Sequence, residues 1–81
     1  MYEAIKKFVL NKLVYSGKNH ENVGRVFRSE YLGSYIIVTR YFEDNDWYFI
    51  RINLEDDVQY GNEMKAGSTL SFFVENDMEV K

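Results

Sequence analysis

Residues 35–54 hold two runs that read as the arms of one β-hairpin, and the pairing between them decides which side chains the chain can bury. Tyr35-Ile36-Ile37-Val38-Thr39-Arg40-Tyr41-Phe42 is β-branched and aromatic, Glu43-Asp44-Asn45-Asp46 is turn-forming, and Trp47-Tyr48-Phe49-Ile50-Arg51-Ile52-Asn53-Leu54 is β-rich again. Pairing about the acidic turn sets Phe42 opposite Trp47, Tyr41 opposite Tyr48, Thr39 opposite Ile50, Ile37 opposite Ile52 and Tyr35 opposite Leu54. The side-chain period of two then sorts the hairpin into two faces. Tyr35, Ile37, Thr39, Tyr41, Tyr48, Ile50, Ile52 and Leu54 share a face without charge, which is expected to be the core. Ile36, Val38, Arg40, Phe42, Trp47, Phe49, Arg51 and Asn53 share the other. Aromatics mixed with arginines suit a surface that stacks bases or grips a protein, so Arg40, Phe42, Trp47, Phe49 and Arg51 are the candidate binding residues. The competing reading covers this face with the N-terminal helix or with a homodimer partner, because proteins usually bury large aromatic patches.

With 81 residues the chain is expected to be one domain, 1–81, with a helix region at 1–15 and a β domain at 23–80. Aromatics make up 17% of it, more than a disordered segment carries. Cysteine is absent, which rules out a disulfide framework and thiolate metal sites and fits a reducing cytoplasm, the expected location. In Met1 to Leu13 the residues Ile5, Phe8, Val9 and Leu13 fall at helical spacing, with Glu3, Lys6, Lys7 and Asn11 on the other side. Lysines interrupt this run, so it reads as an amphipathic helix packed on the domain's own sheet or closing a barrel end, and not as a membrane span. Val23 to Tyr31 alternates as a strand, Asp56 to Ala66 is a polar connection, Leu70 to Val74 reads as a strand with Leu70, Phe72 and Val74 on one face, and Met78-Glu79-Val80 is a short closing strand.

The net charge of −3 conceals an asymmetry: residues 1–42 carry +4 and residues 43–81 carry −7. It suggests a protein with one positive and one negative end, and the competing reading is solvated charges on strand edges and turns. Glu55, Asp56, Asp57, Glu75, Asp77 and Glu79 form a candidate acidic strip able to imitate nucleic-acid phosphates.

Gly24-Arg25-Val26, Tyr48-Phe49-Ile50-Arg51-Ile52 and Met64-Lys65-Ala66-Gly67-Ser68-Thr69-Leu70-Ser71-Phe72 resemble the G-x-V, V-F-V-H-F and L-x-x-G-x-x-V-x-F segments of the cold-shock domain. The resemblance spans residues 24–80. It implies a mainly β (α+β) fold, with the N-terminal helix followed by a small antiparallel five-stranded OB-like barrel; the competing architecture is one helix on an open four-stranded antiparallel sheet. It also implies that Phe49 and Arg51 contact single-stranded nucleic acid. Ser34 and Ile36 stand where the family's K-G-F-G-F-I strand carries its stacking aromatics, which counts against that function.

His20 is the single histidine and has no Cys nearby, so no nucleophile, base and orienter can be assigned, and the chain is not expected to be an enzyme. The carboxylates at 43–46 and 55–57 lack EF-hand spacing, and the isolated glycines form no phosphate-binding loop, so neither a metal nor a cofactor is expected. The sequence favours a small protein-binding protein, such as an inhibitor or adaptor from a phage or other mobile element, acting on a protein partner. The alternative is a cold-shock-like module for single-stranded DNA or RNA. No membrane partner is expected.

Overall fold

A computed structural model describes residues 20–80, so the helix expected over 1–15 lies outside the described residues. Strands β1 (Val26–Ser29), β2 (Ser34–Glu43), β3 (Asp46–Asn53), β4 (Met64–Lys65) and β5 (Met78–Val80) form one antiparallel sheet in the order β4-β3-β2-β1-β5. Helix α1 (Leu70–Asn76) connects β4 to β5. The fold is therefore mainly β, but the sheet is open and no barrel closes. Its edges, β4 and β5, lie on opposite sides, and the segment Leu70 to Val74, expected as a strand, is helical. Among the described residues no helix is long and apolar enough to cross a membrane.

The hairpin forms, with a register that differs from simple pairing about the turn. Glu43 faces Asp46, but Tyr41 faces Trp47, Arg40 faces Tyr48, Ile37 faces Ile50 and Tyr35 faces Ile52. Irregularities between Tyr41 and Glu43 and between Val38 and Arg40 each leave one extra residue on β2, Phe42 and then Thr39. One slip inverts the faces and the second restores them. Tyr35, Ile37, Ile50 and Ile52 consequently share a buried face with Val26, as the alternation requires, whereas Tyr41 is moved across to the side of Trp47. The expected pairs Tyr41 with Tyr48 and Phe42 with Trp47 are replaced for this reason.

The opposite face is also buried. Phe27, Ile36, Val38 and Trp47 pack beneath Ala66, Leu70 and Phe73, so α1 roofs the face that the sequence offers as a binding surface. Trp47 is fully buried, with its indole edge-on to Phe73 at 5.4 Å and 88°, and its Nε1 donates to the Ser68 carbonyl at 2.8 Å. A buried indole needs such an acceptor. Thr69 caps the helix by accepting from the Phe72 amide at 3.2 Å, and the Asp44 carbonyl of the hairpin turn accepts from the Leu70 amide at 3.2 Å.

This capping explains why Leu70 to Val74 is not a strand. A two-residue period would bury Leu70, Phe72 and Val74 together; the helix buries Leu70 and Phe73, three apart, and turns Phe72 and Val74 outward. Phe73→Ala should accordingly cost about 3–5 kcal/mol in urea unfolding, and Phe72→Ala less than about 1 kcal/mol. A larger loss at Phe72 would mean that this segment packs with strand alternation.

Candidate functional site

The residues singled out on the hairpin do not assemble into one exposed patch. Trp47 is fully buried and Phe49 half-buried at 5.6 Å from its ring, both on the side that α1 covers. Arg51 donates to the Leu32 carbonyl at 2.9 Å and to Ser34 Oγ, and its guanidinium lies 4.5 Å from the centre of the Tyr60 ring, so it ties β3 to the β1–β2 turn. Arg40, crossed to the other face by the bulge, stacks on Tyr48 at 4.0 Å and pairs with Glu63 at 2.7 Å. Phe42, one of the bulged residues, stays 53% exposed. It sits apart from the others.

The end of the sheet away from the hairpin turn gathers the acidic strip. There β3 runs into Glu55, Asp56 and Asp57, the β1–β2 turn carries Glu30 and Tyr31, and α1 ends at Glu75 and Asn76 before Asp77 enters β5. One backbone bond joins the end of β3 to the β1–β2 turn, the Leu54 amide donating to the Gly33 carbonyl at 3.1 Å, while the Asp77 amide closes α1 on the Phe73 carbonyl at 2.9 Å. Gly33, at φ +63°, gives the β1–β2 turn a left-handed backbone that few side chains tolerate. Among the described residues no ion pair engages Glu55, Asp56, Asp57, Glu75 or Asp77. Glu79 behaves differently, since both its oxygens accept from Arg25 at 2.7 and 2.9 Å and fasten β5 to the chain entering β1.

Beside this acidic end runs a groove of about 470 Å³ between the β1–β2 turn and α1, lined among others by Tyr31, Leu32, Phe72, Asn76 and Asp77. A second depression adjoins it beyond Tyr31, lined also by Arg28, Glu30 and Met78, with Tyr31, Asn76 and Asp77 common to both. Tyr31, 94% exposed, borders both; Phe72, 50% exposed, lines the first and Met78, 73% exposed, the second. Such side chains, grouped beside a cleft and rimmed by charge, are the kind of surface that anchors a partner. By sequence alone Phe72 falls on one strand face with Leu70 and Val74, and Tyr31 at the end of a strand. The residue signals for the groove are the three-residue spacing of Leu70 and Phe73, which leaves Phe72 out, and the turn-forming Gly33-Ser34 after Tyr31.

At the hairpin-turn end the charges and hydroxyls are instead used internally. Thr39 donates to Glu63 at 2.5 Å, Lys65 lies 3.8 Å from Asp46, and the Tyr41 hydroxyl donates to Asp44 at 2.6 Å. The Asp44 hydrogen bond, burial and the negative charge of Asp44 together raise the Tyr41 pKa, outweighing an opposing hydrogen bond with Asn22 and the charge of Arg25. Because the folded value lies above the unfolded one, the stabilisation from this bond is complete below the ordinary tyrosine value of about 10 and is lost as pH rises through the folded value. NMR titration of the tyrosine ring carbons should show Tyr41 ionising above that ordinary value and moving down in Asp44→Asn. An unchanged Tyr41 titration in that variant would remove Asp44 as the cause.

Comparisons with protein-family models, with curated proteins and with solved structures find no match to this chain.

Proposed function

We propose that this chain is a small non-enzymatic protein-binding protein, acting by occupancy as an inhibitor or adaptor, whose contact surface is the groove between the β1–β2 turn and α1. The observation that carries the reading is the pair of exposed aromatics, Tyr31 and Phe72, on the groove, with exposed Met78 in the depression that adjoins it beyond Tyr31. Apolar anchors supply affinity through desolvated packing, and the carboxylates around them select by charge. A partner that fits offers an apolar side chain flanked by lysines or arginines. Nucleic acid fits this end poorly, since Glu75 and Asp77 would face phosphates, Arg28 is already paired with Glu30 at 3.0 Å, and the aromatics suited to stacking bases lie beneath α1.

Helix electrostatics supports the same partner chemistry. The C-terminal turn of α1 holds no basic residue and carries Glu75, with Asp77 as its cap, although the helix dipole places partial negative charge there. Both carboxylates work against the stability of the free domain. A cationic partner would relieve that repulsion on binding.

Selection of displayed random peptides against the full chain should recover sequences that pair an aromatic or aliphatic residue with lysine or arginine. Binding of a selected peptide should weaken by about 2 kcal/mol or more in Phe72→Ala or Tyr31→Ala and be unchanged in Phe42→Ala, whose ring is exposed at the other end. Glu75→Lys should stabilise the free protein by about 0.3–1 kcal/mol while weakening the peptide. Peptides insensitive to Tyr31 and Phe72, or tight binding of a single-stranded oligonucleotide at physiological salt, would overturn the assignment.

A further inference from the structure

We infer that the groove between the β1–β2 turn and α1 takes an arginine side chain of the partner, its guanidinium laid against the aromatic wall and its N–H groups donated to Asn76 and Asp77. This rests on the reading of the groove as a protein contact and sharpens it: the cation enters the groove instead of flanking it, and arginine is preferred to lysine.

The chain's own arginines display the chemistry. Arg40 lies 4.0 Å from the centre of the Tyr48 ring and pairs with Glu63 at 2.7 Å. Arg25 lies 5.4 Å from the centre of the Phe27 ring and holds both oxygens of Glu79, and Arg51 lies 4.5 Å from that of Tyr60 and donates to the Leu32 carbonyl at 2.9 Å. Each joins a ring face to an oxygen acceptor, a combination that suits a planar, weakly hydrated cation. The groove holds rings and acceptors of the same kind without the cation. Among the described residues no Lys, Arg or His lines it, and Arg28, in the adjoining depression, is engaged by Glu30 at 3.0 Å.

Helix periodicity sets the acceptors beside the rings. Phe72 and Asn76 lie four apart on α1, as do Phe73 and the capping Asp77, so each ring has an acceptor one turn further on. The Phe72 and Phe73 rings stand 5.7 Å apart at 83°, a corner whose outer wall is the half-exposed Phe72, and Tyr31 lines the groove from the β1–β2 turn. Asn76 donates its Nδ2 to the Phe72 carbonyl at 2.9 Å, which leaves Oδ1 to accept. Among the described residues the Asp77 carboxylate has no ion pair. A guanidinium, with five donors in one plane, can stack on a ring and donate at its edge together; an ammonium concentrates its donors at one point. The 470 Å³ of the groove falls within the roughly 300–1,000 Å³ of ligand sites, room for one such side chain and an apolar neighbour.

The peptide acetyl-leucyl-arginyl-leucinamide and its lysyl and citrullyl counterparts, titrated into the full chain and followed by NMR, test the inference. All three keep the apolar flanks, and citrulline keeps the planar shape without the charge. The arginyl peptide should shift the Phe72 ring, the Asn76 side-chain amide and Asp77, and bind about fivefold tighter than the lysyl peptide and about tenfold tighter than the citrullyl one. Asp77→Asn should lower the arginyl peptide to the citrullyl level and leave the citrullyl peptide unchanged. That variant keeps the backbone bond to Phe73 and removes a charge that opposes the helix dipole, so it retains the fold. Equal binding of all three peptides at these residues would overturn the inference and leave the groove as a protein contact. An arginine preference with its shifts at Glu55, Asp56 and Asp57 would overturn it as well. So would no binding by any of the three; the wider reading is decided separately, by whether the selected peptides depend on Tyr31 and Phe72.

Discussion

The burial of Trp47 under α1 is the interaction on which the rest of the arrangement depends. An indole buried without an acceptor for its N–H would forfeit about 1–3 kcal/mol, and the Ser68 carbonyl at 2.8 Å supplies that acceptor. That bond, with the Ala66 amide donating to the Trp47 carbonyl at 2.8 Å, fixes the path of 66–68 across β3. Thr69 is thereby delivered to the helix N-terminus beside the hairpin turn, where the Asp44 carbonyl accepts from Leu70. With its start pinned there, α1 runs toward the other end of the sheet and brings Phe72 and Asn76 against the β1–β2 turn. The groove therefore follows from a core contact at the opposite end of the helix.

How much of this is legible in the sequence varies with the length of pattern available. The hairpin is legible because two eight-residue runs flank a polar turn, and the co-facing of Tyr35, Ile37, Ile50 and Ile52 survives because two bulges displace the register by an even number. The bulges themselves leave no local signature, as Thr39 and Phe42 are ordinary strand residues inside a β-rich run. Nothing in alternation alone could move Tyr41 to the side of Trp47. The helix was hidden differently: Leu70-Ser71-Phe72-Phe73-Val74 has β-favouring composition, and its helical state comes from the Thr69 cap and from the sheet surface that Leu70 and Phe73 fill. Tertiary packing overrode propensity there.

The helical state of Leu70 to Asn76 also decides which aromatics are exposed. An aromatic set on a sheet face looks available when no element covers it, and by sequence the covering element has the pattern of a further strand. Once Leu70 to Asn76 is a helix, Trp47 and Phe49 turn inward, Arg51 becomes a tie between β3 and the β1–β2 turn, and the exposed aromatics are those of the turn and the helix. The acids after residue 42 divide between the two ends: Glu43, Asp44 and Asp46 stand at the hairpin turn, Glu55, Asp56, Asp57, Glu75 and Asp77 toward the other end, and Glu79 is bonded to Arg25.

A strand-like alternation placed on a helix cannot bury all its apolar residues, because a period of two spread over 3.6 residues per turn visits every side. Phe72 and Val74 are exposed in consequence, and burying a side chain of that size would ordinarily contribute about 1.5–3 kcal/mol. The same short helix ends in acids that oppose its dipole. A segment selected for stability alone would carry polar residues at 72 and 74 and a lysine near 75, since each change agrees with the local rules for an exposed helix. Departures from local consistency that cluster in one place are expected where a surface serves something other than folding. Here they cluster on the helix that walls the groove.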